Sequence, residues 1–190
     1  MSKAVGWRWA RGRGSISASL TVPAAAICGF RRCRLLRIRL LAIGKDKDQW
    51  VADGVTHFSK LLAKCARVSI DILPGLKSSG SLSPAEVMAQ EAERFEKRLD
   101  DSYLVALSER GKRMDSRSFA REIERWQTVS GGTVTLLIGG AYGLDERLLA
   151  RADQVLSLSR MTFSHQLVRL IILEQLYRGF SLLHGGPYHK

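Results

Sequence analysis

The last seven residues, HGGPYHK, put an aromatic, an imidazole and an ammonium at the extreme end of the chain as Tyr188, His189 and Lys190. Gly185 and Gly186 let the backbone bend, and Pro187 then fixes its course. An imidazole titrates near neutral pH, so His189 is a candidate acid or base; a merely solvated terminal histidine is the other reading. A second group lies upstream, where LLIGGAYGL pairs Gly139 with Gly140. Missing side chains there let a ligand approach the backbone, although a tight turn would use the same residues. In LSRMTFSHQLVR, the hydroxyls of Ser157, Ser159 and Thr162 stand just before a long apolar stretch. They and the neighbouring amides can read an adenine edge or cap a helix, and Ser164 can do the capping unaided. Metal chemistry is not indicated. His57, His165, His184 and His189 show no ligand spacing, and Cys28, Cys33 and Cys65 are odd in number and match no C-x-x-C pattern. Reduced thiols are the default for such cysteines.

These groups need a frame, and from Arg37 a strand-then-helix rhythm supplies one. IRLLAI ends at Gly44 and precedes a helix over Asp48 to Lys64, where Trp50, Val51, Val55, Phe58, Leu61 and Leu62 recur at helical spacing. RVSIDIL alternates like a strand and stops at Pro74. In SPAE, Ser83 caps, Pro84 suits the first helical position and Glu86 completes a capping box, predicting a helix to about Leu99. YLVAL reads as a third strand and SERGKRMDS as its exit loop. A helix with Phe119, Ile123 and Trp126 on one face follows, then strands TVTLLI and QVLSLS around the short helix DERLLARA. The final helix, SHQLVRLIILEQLYRGFSLL, leaves almost no polar side, which predicts burial all round and a second copy of the chain to cover it. Alternating strands and helices imply an α/β fold with a mostly parallel sheet and ligands beyond the carboxyl ends of its strands. That directs attention to the loops after Leu107, Ile138 and Leu158. A dinucleotide fold is not indicated, because IGKDKD after the first strand holds one glycine.

Charge is unevenly distributed over the 190 residues. The formal net charge is +12, yet no Asp or Glu precedes Asp46, and the first 39 residues alone carry +9, leaving +3 for the rest. A basic body is thus a weak argument for nucleic acid, although Lys45, Lys47, Lys112 and Arg113 could meet phosphates. Residues 1–35 are Arg-, Ser- and Ala-rich without acids. They are expected to be an extension outside the folded unit: a start codon placed too far upstream, a transit peptide or tail, or a secretory signal. Its apolar run is too short to span a bilayer. One domain is expected over 36–190.

Taken in order, LLIGGAYGL, LSLSRMTFSHQLVRLIILEQLYRGFSLL and the terminal PYHK resemble the RlmH family of SPOUT-class methyltransferases, over roughly Leu36 to Lys190. The resemblance implies an α/β sheet whose carboxyl-terminal part is threaded into a deep trefoil knot, an exception to the usual avoidance of knots. It further implies a homodimer that binds S-adenosylmethionine through Leu107, Gly139 and the run Leu158, Ser159, Arg160, Met161, Thr162 and Phe163. The methyl group would go to ring nitrogen 3 of a pseudouridine in 23S ribosomal RNA, on the assembled ribosome. The PYH end would lie beside donor and base, with Tyr188 flanking the base and His189 taking the ring proton. Arg178 would meet a phosphate or the anionic base, and Glu174, one turn earlier, offers it an intrahelical pair instead. The chain departs from the family's usual residues at Arg160, often Ala, and at Ala141 and Tyr142, often Pro and Glu. A knotted methyltransferase for another RNA such as transfer RNA, and a catalytically silent RNA- or ribosome-binding module, stay open. The cytoplasm is the expected location, or an organelle if residues 1–35 are a transit peptide; no membrane or metal partner is expected.

Overall fold

The computed structural model describes residues 36–45, 48–76, 82–186 and 188. The extension 1–35 and His189 lie outside the described residues. Five strands, β1 (Arg37–Ile43), β2 (Arg67–Leu73), β3 (Tyr103–Arg113), β4 (Thr133–Ile138) and β5 (Gln154–Ser157), alternate with helices. The helices are α1 (Gln49–Leu62), α2 (Pro84–Glu96), α3 (Ser116–Val129), α4 (Glu146–Arg151) and α5 (His165–Leu183). The strands form one sheet in the order β2-β1-β4-β3-β5, and every recorded pairing is parallel. Covered on both faces, β1 divides its side chains between two cores. Ile38, Leu40 and Ala42 join Leu62, Phe119, Ile123, Trp126, Ile172 and Phe180, so α1, α3 and α5 cover one face. Leu41 and Ile43 join Ala92, Phe95 and Leu148 of α2 and α4 on the other. The indole N–H of Trp126, wholly buried, donates to Gln154 Oε1 at 3.0 Å and so ties α3 to the edge strand β5.

Local signals set the helix starts. Ser83 accepts from the Glu86 amide while Glu86 returns a bond to the Ser83 amide, completing the expected capping box. Ser164 accepts from Leu167 N–H and caps α5 alone.

Three features differ from the sequence expectation. First, β3 does not end at Leu107: its chain bulges over Ser108–Gly111 and pairs again, so that Leu107 and Lys112 both face Leu156. The return is tight, since a Cβ on Gly111 would lie 2.5 Å from the Leu156 carbonyl carbon, and only glycine lets the two backbones come so near. Second, β5 stops at Ser157, two residues short of the expected run. Third, α5 has no exposed residue in the single chain, because α1 and α3 flank it above the sheet. Packing within one protomer buries seven of its nineteen residues and leaves the others, Val168, Leu170 and Ile171 among them, partly exposed. Gly54 and Gly179 allow this closeness: added Cβ atoms would meet Leu170 at 2.8 Å and Ile123 at 2.5 Å. Among the described residues, no helix is long and apolar enough to cross a membrane.

Candidate functional site

Because all strands run one way, their exits gather at one edge of the sheet, and a cavity of about 650 Å³ opens there. Its wall draws Leu107 and the bulge Ser108–Arg110 from β3, the turn Gly139–Asp145 after β4, and Leu158, Ser159, Met161, Thr162 and Phe163 after β5. Ala85 and Met88 of α2 and His165 and Val168 of α5 also line it. Seven of the eight residues matched to donor binding thus share one cavity. Arg160 does not join its wall.

The turn after β4 is shaped by closeness. Gly143 N–H donates to Gly140 O at 3.2 Å, and a Cβ on Gly139 would overlap the Gly143 carbonyl and stand 2.9 Å from the Leu144 nitrogen. The tight-turn reading of the paired glycines holds, and the turn they form lines the cavity.

Across the cavity, the loop after β5 is held by its own hydroxyls. Ser157 Oγ donates to Ser159 O at 2.9 Å, Ser159 Oγ accepts from Met161 N–H at 2.9 Å, and Thr162 Oγ1 donates to Glu109 Oε2 at 3.3 Å. These contacts fix the loop and direct its backbone, and the Thr162 contact joins it to the β3 bulge. On its other side the bulge meets α4 through an Arg110–Glu146 ion pair at the surface.

The start of α5 is clamped to the exit of β1. Arg169, wholly buried, donates through Nη2 to Ile43 O at 2.6 Å and Gly44 O at 2.5 Å, and Gln166 Nε2 reaches Lys45 O at 3.3 Å. The His165 ring lies against Gly44, its Nε2 3.0 Å from where a Cβ would stand. His165 therefore belongs to the helix start and the cavity wall together.

Arg178 and Tyr188 lie elsewhere on the protomer. Arg178 bonds Glu174 Oε1 through Nε at 3.0 Å and Nη2 at 2.5 Å, so the intrahelical pair is present. It also covers the Tyr188 ring, 4.8 Å from its centroid, while Tyr188 packs edge-on against Tyr177 at 4.8 Å. Burial, reinforced by the Glu174 carboxylate, pushes the Tyr188 phenol up, so it stays protonated at neutral pH. At 1.5 Å per helical residue, Arg178 is about 15 Å along α5 from Val168 of the cavity wall. Sequence reasoning did not single out Ala85, Met88, Ser108, Glu109, Arg110 or Val168, because nothing in their types marks the far side of a crevice.

Fold and site together define a doubly covered parallel α/β sheet with a small-molecule-sized cavity at its carboxyl edge, floored by a glycine turn. The chain belongs to the SPOUT methyltransferase family: the family model described as "Predicted SPOUT methyltransferase" matches residues 36–189. Among curated relatives, a protein of Acetivibrio thermocellus named "Ribosomal RNA large subunit methyltransferase H" is 42% identical, over 82% of this chain and 100% of its own length. A protein of Limosilactobacillus reuteri with the same name is 39% identical, with the same coverage. A solved structure of a probable methylase family protein from Haemophilus influenzae superimposes with a TM-score of 0.51 at 14% identity, covering 80% of this chain and 70% of that one; it supports the fold. Among the described residues, no group of three or more His, Cys, Asp or Glu is arranged to hold a metal ion.

Proposed function

We propose that this protein is an S-adenosylmethionine-dependent methyltransferase that modifies ring nitrogen 3 of a pseudouridine in 23S ribosomal RNA, acting in the cytoplasm as a homodimer on the assembled ribosome. One observation carries the reading: three exit loops far apart in sequence, after β3, β4 and β5, converge on one cavity. The fit to the donor rests on that cavity. Its volume suits a nucleoside joined to an amino acid, and the backbone of the Gly139–Gly140 turn forms part of its wall. Leu107, Leu158, Met161 and Phe163 would hold the apolar faces of the donor, and the backbone of Leu158, Ser159, Met161, Thr162 and Phe163 its polar edges.

S-adenosylmethionine supplies a methyl group already activated by its sulfonium, so the chain's task is alignment and removal of one proton. The walls exclude water and orient the acceptor. His189 takes the ring-nitrogen proton, with an imidazole whose ordinary pKa is matched to neutral pH. Tyr188 flanks the base, as aromatics do with splayed nucleotides. Arg178 offers a cation to the phosphate or the developing anion. Within one protomer Tyr188 packs on Tyr177 and Arg178, well along α5 from the cavity. We therefore assign the tail that completes each cavity to the partner protomer.

The test incubates ribosomes with the protein and isotopically labelled donor, then analyses nucleosides by mass spectrometry. Label in 3-methylpseudouridine from the large-subunit RNA is expected. Label only in transfer RNA, or none despite calorimetric donor binding, overturns the substrate assignment. In the same assay His189→Ala is expected to keep donor binding while single-turnover methylation falls about a hundredfold or more, within the range for a lost general base. Unchanged turnover would remove His189 from the chemistry.

A further inference from the structure

The underside of the glycine turn rests on a buried carboxyl group that the proposed chemistry does not use. Glu91 of α2 is 5% exposed, and its Oε2 has no hydrogen-bond partner. A Cβ added to Gly140 would stand 2.6 Å from Oε2 and 2.7 Å from Oε1, so the carboxyl touches the turn where a side chain would begin. Burial pushes the Glu91 carboxyl up, against the Gly140 amide, the Arg94 guanidinium and the Leu76 amide, which favour its ionised form.

Elsewhere on its buried face α2 carries Val87, Ala92 and Phe95, the residues expected where a helix only has to cover a sheet. An acidic group is an expensive substitute for a hydrocarbon at such a position. The same helix contributes Ala85 and Met88 to the cavity wall, and Arg147 Nη2 donates to Ala89 O at 3.2 Å, tying α4 to it. Arg94 further anchors α2 to the Pro74 carbonyl at the exit of β2. Glu91 is thus held on a rigid element, with its carboxyl directed at the backbone of the turn.

We propose that Glu91 is a positioning residue for the donor site, its carboxylate holding the Gly139–Gly140 turn in the shape that admits the donor; this rests on the reading of the cavity given above. Glu91 is not part of the cavity wall, so it acts through the Gly140 backbone and does not touch the donor. Gly140 does not have a positive φ, so alanine suits its backbone and the obstacle to a side chain there is the Glu91 carboxyl. The requirement for glycine at 140 and for the acid at 91 is therefore one requirement.

Calorimetry with S-adenosylmethionine on the full chain tests this, using Glu91→Gln, Glu91→Ala, Gly140→Ala and the double variant, with steady-state kinetics alongside. Glu91→Ala is expected to raise the donor Kd and KM about tenfold with kcat at saturating donor nearly unchanged, whereas Glu91→Gln, which keeps an acceptor oxygen, stays within about threefold. Gly140→Ala alone is expected to weaken the donor similarly by displacing the carboxylate, and to add little once Glu91 is alanine. Wild-type binding matched by every variant overturns the role of Glu91, as does a Gln variant no better than the Ala variant or a purely additive double variant. Should Glu91→Ala fail to fold, Gly140→Ala decides by itself: unchanged donor affinity there overturns the proposal. A wild-type chain that takes no donor instead overturns the reading of the cavity, and this role with it.

Discussion

Gly139→Ala is expected to weaken donor binding about a hundredfold in a protein that still folds. The added methyl group would overlap the Gly143 carbonyl and press on the Leu144 nitrogen, and both are backbone atoms of a closed turn. Neither can swing aside as a side-chain end can. Relief requires the turn to move by about 1 Å, and displacements of that size in a positioned site cost on the order of a hundredfold. Overpacking of this kind also destabilises by roughly 1–3 kcal/mol. Calorimetry with S-adenosylmethionine, paired with a thermal melt, reads both effects. A variant that binds donor as wild type does would show that the turn does not shape the site.

The second large effect concerns stability. Arg169→Leu is expected to destabilise the fold by on the order of 3 kcal/mol, because the Ile43 and Gly44 carbonyls lose the charged donors of a wholly buried guanidinium. For a domain near 150 residues that corresponds to a fall in Tm of about 10 °C. Differential scanning calorimetry checks it, and a change below about 2 °C would mean that water replaces the guanidinium. The same substitution frees the exit of β1 from α5, so His165 should lose its fixed place against Gly44 as well.

Much of this architecture is legible in the residues. Ser83 with Glu86, Ser164 before the last helix and the apolar strand runs each state their role locally, and the structure has them in those roles. The paired glycines and the run after β5 were legible as a candidate site because parallel strands must deliver their exits to one edge. What stayed hidden depends on partners distant in sequence. SERGKR looks like a loop because its polar residues face water, and only the closeness of Gly111 to Leu156 turns it back into a strand. Glu91 and Arg169 look like surface charges on helices, since periodicity does not say which charge a neighbouring backbone will enclose. The largely apolar α5 predicted cover from a second chain; α1 and α3 bury seven of its nineteen residues within one protomer and leave the rest partly exposed.

The cavity wall draws on residues from Ala85 to Val168, with its closing strand last among the five and placed at the edge of the sheet. A nascent chain emerging amino terminus first can pair β1 with β2 and then with β4 while the cavity still lacks one side. Only when β5 and the first turn of α5 follow is the enclosure complete, so a polypeptide interrupted before β5 is a folded sheet in part but lacks one side of its cavity.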